Sequence, residues 1–558
     1  METENNSSWV AQFKASSDYL TLKEKPIAYF SAEYALSPLL PTYAGGLGIL
    51  AGDIVKEASA SQLPIVFVGL FYKKGQNDIV INSDIKNSGV ELITNNSVPV
   101  TISIPISNRH VFFQVWLWNE NGASVYLLDT DVPQNSLEDR LITSQLYVEN
   151  HELRLKQEIL LGIGGFRFLR HLLGLHPSVY HLNEGHSAFL ALELVHHEMI
   201  HQKVDFATAS EFASRHILFT NHTLVPAGQE IFMIESVSEA LAGYAKEIEV
   251  PIRDIVNMGI SDETKLFSMT TFSFRFSAIA NSVSRIHNEK AALLWPKNKM
   301  DNITNGIYIP RWDKVLDKEN IWTKHQENKR KLLEYIKKNT GVVWSEDTLL
   351  FGWGRRLVPY KQPLAFVQEV ERFLSLAKDS NRPFRIVFSG PTSENITNEL
   401  AIILKTYINE KLGDVAVFLP HFNIEIASLM IAGCDVWLNT PIVGREACGT
   451  STMKAALNGV LPLSTKDGWI AEVDLRECGW VVNNSENLSV ELLDITEKQI
   501  VPLYYEHLSN PEGSTWLSYM RNARSLIEKQ FSTFRVLKEY TDKCYIPILH
   551  KKHIHKYQ

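Results

Sequence analysis

Four segments of this 558-residue chain place reactive residue types at spacings that could do chemistry. The richest runs from Asn439 to Gly459. A strand is expected to end at Leu438, and a loop with Glu446, Cys448, Gly449, Thr450 and Ser451 leads into a helix bearing Lys454. Hydroxyls and free N–H groups at a helix start can hold a phosphate. A lysine on the first turn, between Met453 and Leu457, is placed to be desolvated. Desolvation lowers a lysine's pKa and makes its amine a competent Schiff-base former. An ordinary helix cap with a snorkelling lysine fits the same pattern. The second segment, Gly352–Lys361, follows an expected strand and puts Arg355, Arg356 and Lys361 at its carboxyl end. Open α/β sheets bind ligands there, and Arg forks with a Lys point charge suit phosphate. In the third, Gly45, Gly46, Leu47 and Gly48 precede a helix. Its glycines let backbone N–H groups approach an anion, or merely make a tight turn. Gly46 to Ala51 fits a loose dinucleotide pattern, but the acidic ribose ligand about 20 residues on is missing. The fourth, His197-Glu198-Met-Ile-His201, matches the HExxH zinc signature. The extended form of that signature needs a glycine and a third histidine where Val204 and Ala207 stand, so no metal site is expected.

These residues must be positioned by strands and helices in alternation. Short apolar runs at Ile27–Tyr34, Ile65–Leu70, Val179–Leu182, Ile217–Thr220, Leu349–Gly352, Ile386–Ser389, Val415–Leu419, Val436–Leu438 and Val460–Leu463 read as buried strands. Helical segments are expected at Ile49–Ala60, Ser187–His201, Pro363–Leu376, Glu319–Lys338 and Arg521–Tyr545, and one starts near Met453. Such alternation predicts parallel sheets built from βαβ units. Val100–Ile106, His110–Trp118 and Ser124–Leu128 read instead as a local antiparallel meander. The βα pattern occurs twice, which predicts α/β domains over 1–306 and 307–558, the last helix crossing back to the first domain.

Composition is that of a globular protein, 45% apolar and 21% charged. The formal charge of −8 gives no electrostatic reason to expect nucleic acid or an anionic membrane as partner. Four cysteines without a CxxC pair exclude a disulfide scaffold and make structural zinc unexpected. The N-terminus lacks an apolar signal region, and the longest apolar stretch is about half of what spans a bilayer. A cytoplasmic enzyme is the expectation.

Taken in order, the segments resemble the α-glucan phosphorylase family of glycogen, starch and maltodextrin phosphorylases, as a short bacterial-type member. The matching stretches are Ala28–Tyr34, Gly45–Gly48, His181–His186, Thr220–Ala227, Asn281–His287, Thr304–Pro310, Arg355–Lys361 and Glu446–Gly459. An ordered series is far more specific than any one stretch. The resemblance implies two Rossmann-like domains facing each other across a cleft, the GT-B type glycosyltransferase fold. It implies pyridoxal 5′-phosphate (PLP) on Lys454, with Arg355, Gly449, Thr450 and Ser451 around its phosphate. It implies phosphorolysis of α-1,4-glucan non-reducing ends to α-D-glucose 1-phosphate with retention. Inorganic phosphate is then expected between Arg356, Lys361 and the Gly45-Gly46 amides. The sugar is expected against Leu47, Glu446, Cys448 and Gly449, with Asn305 and His222 opposite. A homodimer is one assembly the resemblance allows.

The chain departs from the family at three places. Cys448 stands where members usually have Ser, Val358-Pro359 where they have a His-Glu or similar pair, and Gly390-Pro391 where many have Gly-Lys. These bear on sugar selectivity and regulation more than on cofactor binding. Two other functions compete. Glu446-Ala-Cys-Gly449 is also similar to a segment of sugar-nucleotide-dependent glycogen and starch synthases, but those carry a lysine just before the glycine pair, where this chain has Tyr43-Ala44. A non-catalytic glucan-binding relative would have no need of Arg356, Lys361 and Lys454 together.

Overall fold

The computed structural model describes residues 2–75, 88–224, 230–317, 319–391, 396–483 and 486–550. The chain divides into two compact units. One comprises Met1–Val283, Asn288–Ile303 and the stretch from Val536 on; the other comprises Ser284–His287 and Thr304–Arg535. Each unit thus gathers segments from both sides of the expected 306/307 division.

The first unit is built on a ten-stranded sheet. Asp301–Asn302, Ile279–Ser282, Ile217–Thr220, Val179–Asn183, Ile27–Ser31, Ile65–Leu70 and Ala123–Asp129 run parallel in that order. Ile27–Ser31 and Val179–Asn183 are buried throughout, as continuous apolar runs require when both faces are covered. Alternate residues serve opposite faces. Ala28 and Phe30 join a core with Val68, Tyr180 and Phe219, while Ile27 and Tyr29 join one with Phe67, Val179 and Leu218. On the second face the C-terminal Val536, Leu537, Tyr540 and Tyr545 complete the packing. The meander forms as Ile102–Ile106, Arg109–Glu120 and Ala123–Asp129 in antiparallel register. It is not local. Its last strand pairs parallel with Ile65–Leu70, which makes the meander one flank of the main sheet.

The second unit has a six-stranded, wholly parallel sheet. Across it lie Ala416–Leu419, Phe384–Ser389, Leu349–Gly354, Val436–Asn439, Leu461–Thr465 and Trp480–Val482. Numbered by chain position these read 3-2-1-4-5-6, the doubly wound order whose switch point falls between Leu349–Gly354 and Val436–Asn439. A buried charged group fixes that point from below. Asp435, at the foot of the second strand, is fully buried. Its Oδ2 accepts hydrogen bonds from Lys329 Nζ (2.6 Å) and Leu350 N (2.7 Å), and Oδ1 meets His325 Nε2 at 2.8 Å. Lys329 Nζ also donates to Thr348 O and Tyr504 OH, both at 2.8 Å. Helix Ile321–Thr340, which carries His325 and Lys329, is thereby tied to both central strands.

Two expected helices differ. The segment from Pro363 forms turns first, because Gln362 adopts a left-handed φ of 46° and Ala365 and Val367 bond three residues back. Its helix is Val370–Ala377. Arg521–Tyr545 is not one helix. Thr515–Gln530 ends and Thr533–Tyr540 begins because the backbone between them turns aside to pair with Ile307. Ile307 N donates to Phe531 O (2.8 Å), and Thr533 N donates to Ile307 O (2.9 Å). Gly306 admits that approach, since a Cβ there would lie 2.7 Å from Phe531 O.

Removing one partner of a buried ion pair strands the other in low dielectric, at about 3–5 kcal/mol. Asp435→Ala is expected to lose that much in urea unfolding. A double variant, Lys329→Met with Asp435→Leu, is expected to recover a substantial part, because neither charge is then left unpaired.

Candidate functional site

In the second unit both loops at the switch point bear the cations and hydroxyls picked out from the sequence. Arg355 leaves the end of Leu349–Gly354 and is 5% exposed. Its Nη2 donates to Ser451 Oγ at 3.1 Å, on the first turn of helix Thr450–Leu457. Its Nε and Nη1 make no hydrogen bond among the described residues. Burial lowers the guanidinium's pKa, and Glu446 works against that. Glu446 Oε2 lies 3.0 Å from Lys361 Nζ and 3.8 Å from Arg355 Nη1. Burial raises the Glu446 carboxyl, but Lys361 and Arg355 more than offset it, and the net shift is down. Lys361 is pulled down to about 8, by burial first, with Glu446 partly restoring it. Arg356 is exposed, and Tyr360 and Glu446 feel its charge.

The loop that holds Glu446 is itself held. Asp467 Oδ2 accepts from Glu446 N (3.0 Å), and Oδ1 accepts from Gly468 N (2.9 Å). Gly468 has φ +55°, and a Cβ on it would press 3.2 Å from Cys448 Cα. Ile442 N donates to Tyr360 O (2.8 Å), and Thr440 Oγ1 donates to Lys361 O (3.1 Å), so the two loops move as one piece. Asn305 is buried beside Cys448, and its Oδ1 is unpartnered among the described residues.

Gly449 caps helix Thr450–Leu457 with no side-chain bond, which leaves first-turn N–H groups directed outward. Lys454 is 7% exposed, and its Nζ lies 4.2 Å from the centroid of the Trp312 ring. Asn458 Nδ2 donates to both Trp312 O (2.9 Å) and Lys454 O (2.8 Å), which ties the backbones of the two residues together. Trp312 is invisible to a reading of the sequence because nothing local joins it to Lys454. These residues fit PLP. A buried lysine sits on an aromatic face, and a buried arginine, whose Nε makes no hydrogen bond among the described residues, reaches a hydroxyl on a helix start.

In the first unit the switch point lies between Ile27–Ser31 and Val179–Asn183. Glu33 follows the first strand. Its Oε2 accepts from Ala44 N (2.7 Å) and Gly45 N (3.1 Å), and Tyr147 OH donates to Oε1. Of the Gly45-Gly46 pair expected to hold phosphate, these bonds engage the Gly45 amide. The Gly45 amide is already used by a carboxylate, so an anion there would meet like charge. Gly46 is exposed at the start of helix Gly46–Ser61, where an added Cβ would have no neighbour within 4 Å, and Leu47 is half-buried beside it. Gly48 is the glycine that packing demands, since a Cβ there would lie 2.6 Å from Tyr43 Cβ. After the second strand, Glu184 takes a left-handed φ of 73°. Its Oε2 accepts from His222 N at 2.6 Å, while His222 Nε2 meets Asn183 Oδ1 at 2.7 Å. Burial pushes Glu184 up to about 8, partly offset by the His222 N–H. Of the matched stretch Thr220–Ala227, residues 225–227 lie outside the described residues. His197 and His201 stand ring to ring at 4.1 Å, away from these loops on helix Leu190–Gln202.

A family model described as carbohydrate phosphorylase matches residues 312–485, the part of the second unit that carries Trp312, Arg355, Glu446 and Lys454. Maltodextrin phosphorylase of Thermococcus litoralis is 34% identical over 94% of this chain and 70% of its own length. The chain belongs to the carbohydrate phosphorylase family. The resemblance read from the ordered motifs is thereby borne out. Glycogen phosphorylase of Aquifex aeolicus is 29% identical over 96% of this chain and 88% of its own, and that of Mycobacterium tuberculosis 28% over 93% and 71%. Among the described residues no helix is long and apolar enough to cross a membrane.

With burial pulling Lys361 down to about 8, its charge is expected to be lost as pH rises through that value. A cation binds an oxyanion only while protonated, so affinity should fall as pH rises through 8. Titration calorimetry with sulfate, whose own charge is constant there, should show that fall in the native protein. Lys361→Arg should flatten it; an equally steep profile in that variant would place the titrating group elsewhere.

Proposed function

We propose that this chain is an α-glucan phosphorylase that removes the non-reducing-end glucosyl unit of an α-1,4-glucan as α-D-glucose 1-phosphate, with retained configuration. The observation that carries the reading is the Lys454–Trp312 pair beside Arg355 and Ser451 at a parallel-sheet switch point. The GT-B arrangement belongs to the same proposal.

Lys454 would hold PLP covalently, and Arg355, Ser451 and the first-turn amides from Gly449 to Ser451 would take its phosphate. When bound, PLP supplies a phosphate monoester whose second pKa, near 6, lets it exchange a proton close to neutral pH. Lys361 and Arg356 would bind the inorganic phosphate and balance its charge. The protonated substrate phosphate gives its proton to the glycosidic oxygen as the C1–O bond breaks. The shortened glucan leaves with that oxygen, and a phosphate oxygen closes on C1 from the face just vacated. The oxocarbenium-like sugar needs stabilisation through its hydroxyls. Asn305, Glu446 and Gly449 are suited to supply it within the second unit, while His222 and Leu47, read from the resemblance as sugar ligands, lie in the loops of the first. Asp467 keeps Glu446 in place for this by holding its backbone N–H.

Lys454→Ala is expected to fold, to lose the near-ultraviolet or violet absorption of the purified protein, and to lose activity. An unchanged spectrum would remove Lys454 from the cofactor role. The native protein is expected to release glucose 1-phosphate from maltoheptaose and phosphate. It should not extend the glucan from ADP- or UDP-glucose; extension only from the nucleotide would assign a synthase instead.

A further inference from the structure

The first unit contains a second polar cluster, apart from the residues given roles in phosphorolysis. Glu158 lies near the end of helix His151–Ile159, His186 on the turn after Val179–Asn183, and Glu230 in the stretch before Ile231–Phe232. One ligand atom from each lies within 4.8 Å of the others. Glu158 and His186 also line one cavity, together with Tyr72 and Arg154. Glu158 is 3% exposed, and neither of its carboxylate oxygens has a hydrogen-bond partner among the described residues. His186 is 7% exposed, with Nδ1 likewise unpartnered. Buried polar atoms are almost always satisfied. Two orphaned oxygens and a nitrogen in one cavity therefore point to something that accepts lone pairs.

The local charge points the same way. Burial first, then the like charge of Glu230 and Glu184, pushes the Glu158 carboxyl well up, with Arg154 opposing, so its carboxylate form lacks enough positive charge nearby. Arg154 is engaged with Glu230, which His186 Nε2 approaches at 3.8 Å. Carboxylates buried together repel strongly, and one shared guanidinium does not neutralise them. We propose that Glu158, His186 and Glu230 form a site for a divalent first-row metal ion. One imidazole with two carboxylates suits Mn²⁺ or Zn²⁺; Ca²⁺ and Mg²⁺ prefer oxygen alone. Bonds of about 2.0–2.2 Å require the three side chains to draw somewhat closer than they stand. The ion would clamp helix His151–Ile159 to the turn after Val179–Asn183, leaving Lys454 and its neighbours untouched.

The test is to treat the full-length protein with EDTA, desalt it, and titrate it with Mn²⁺ and separately with Zn²⁺. One equivalent per chain is expected, with a raised melting temperature. Glu158→Gln, which keeps the shape but cannot become a carboxylate, should weaken binding at least about tenfold and abolish the thermal shift. His197→Ala should change neither. Pulsed electron paramagnetic resonance of the Mn²⁺ form should show a directly bound imidazole nitrogen, a readout that needs no variant. No stoichiometric binding of either ion overturns the proposal. So does binding that persists in Glu158→Gln, that is lost in His197→Ala, or that shows no nitrogen ligand.

Discussion

The second unit depends on one buried carboxylate. Asp435 sits where the strand order reverses and takes bonds from Lys329, His325 and the Leu350 amide, so a helix and both central strands share one anchor. Each ion there carries a desolvation cost of several kcal/mol, which only a full set of partners offsets. The set is nearly full. Lys329 has three acceptors, and both Asp435 oxygens are engaged. The anchor determines position. With the strands fixed at their feet, the loops after Gly354 and Asn439 emerge side by side, and Arg355 can reach Ser451. The site at the top inherits its precision from the pair at the bottom.

The two units treat buried charge in opposite ways. At the switch point of the second, two cations close on one carboxylate, and the excess is positive, which suits the proposed phosphate sites. At that of the first, Glu33, Glu184 and His222 are knitted to backbone amides and to Asn183. Carboxylates held this way are rigid acceptors for hydroxyl groups rather than binders of anions. On the proposed function the same topology would serve anions in one unit and sugar hydroxyls in the other, depending on which residues come after the strands.

How much of the fold and site is legible in the sequence depends on how local each feature is. Strand and helix alternation is legible because burial on both faces writes continuous apolar runs, and Ile27–Ser31 and Leu349–Gly354 carry them. Lys454 stands out because the helix start, its hydroxyls and the lysine lie within a few residues. The features that escape are non-local. Nothing near Gly45 says that Glu33, twelve positions earlier, takes its amide. Nothing near Arg521–Tyr545 says that Ile307 draws the backbone aside at Phe531 and breaks the helix. The meander is legible strand by strand, yet its merger with the main sheet depends on a partner, Ile65–Leu70, far back in the chain. Trp312 and Asp467 belong to the same class, since their importance lies in what they touch.

Glu446 shows how the pieces couple. It lies 3.0 Å from Lys361 and 3.8 Å from Arg355, half-buried, with its backbone fixed by Asp467. An oxyanion that binds Lys361 must take over the charge that Glu446 now neutralises. The carboxylate cannot move far, because its loop is tied at Asp467 and, through Ile442, at Tyr360. Released from its cations but still shielded from water, it needs new donors at short range, on pain of an unsatisfied buried charge. Sugar hydroxyls are donors of the right kind. On the proposed function, binding of phosphate would therefore raise the affinity of the same pocket for a glucosyl unit, and by reciprocity the sugar would raise the affinity for phosphate. On that reading the ion pair that holds the loop would also link the two substrates.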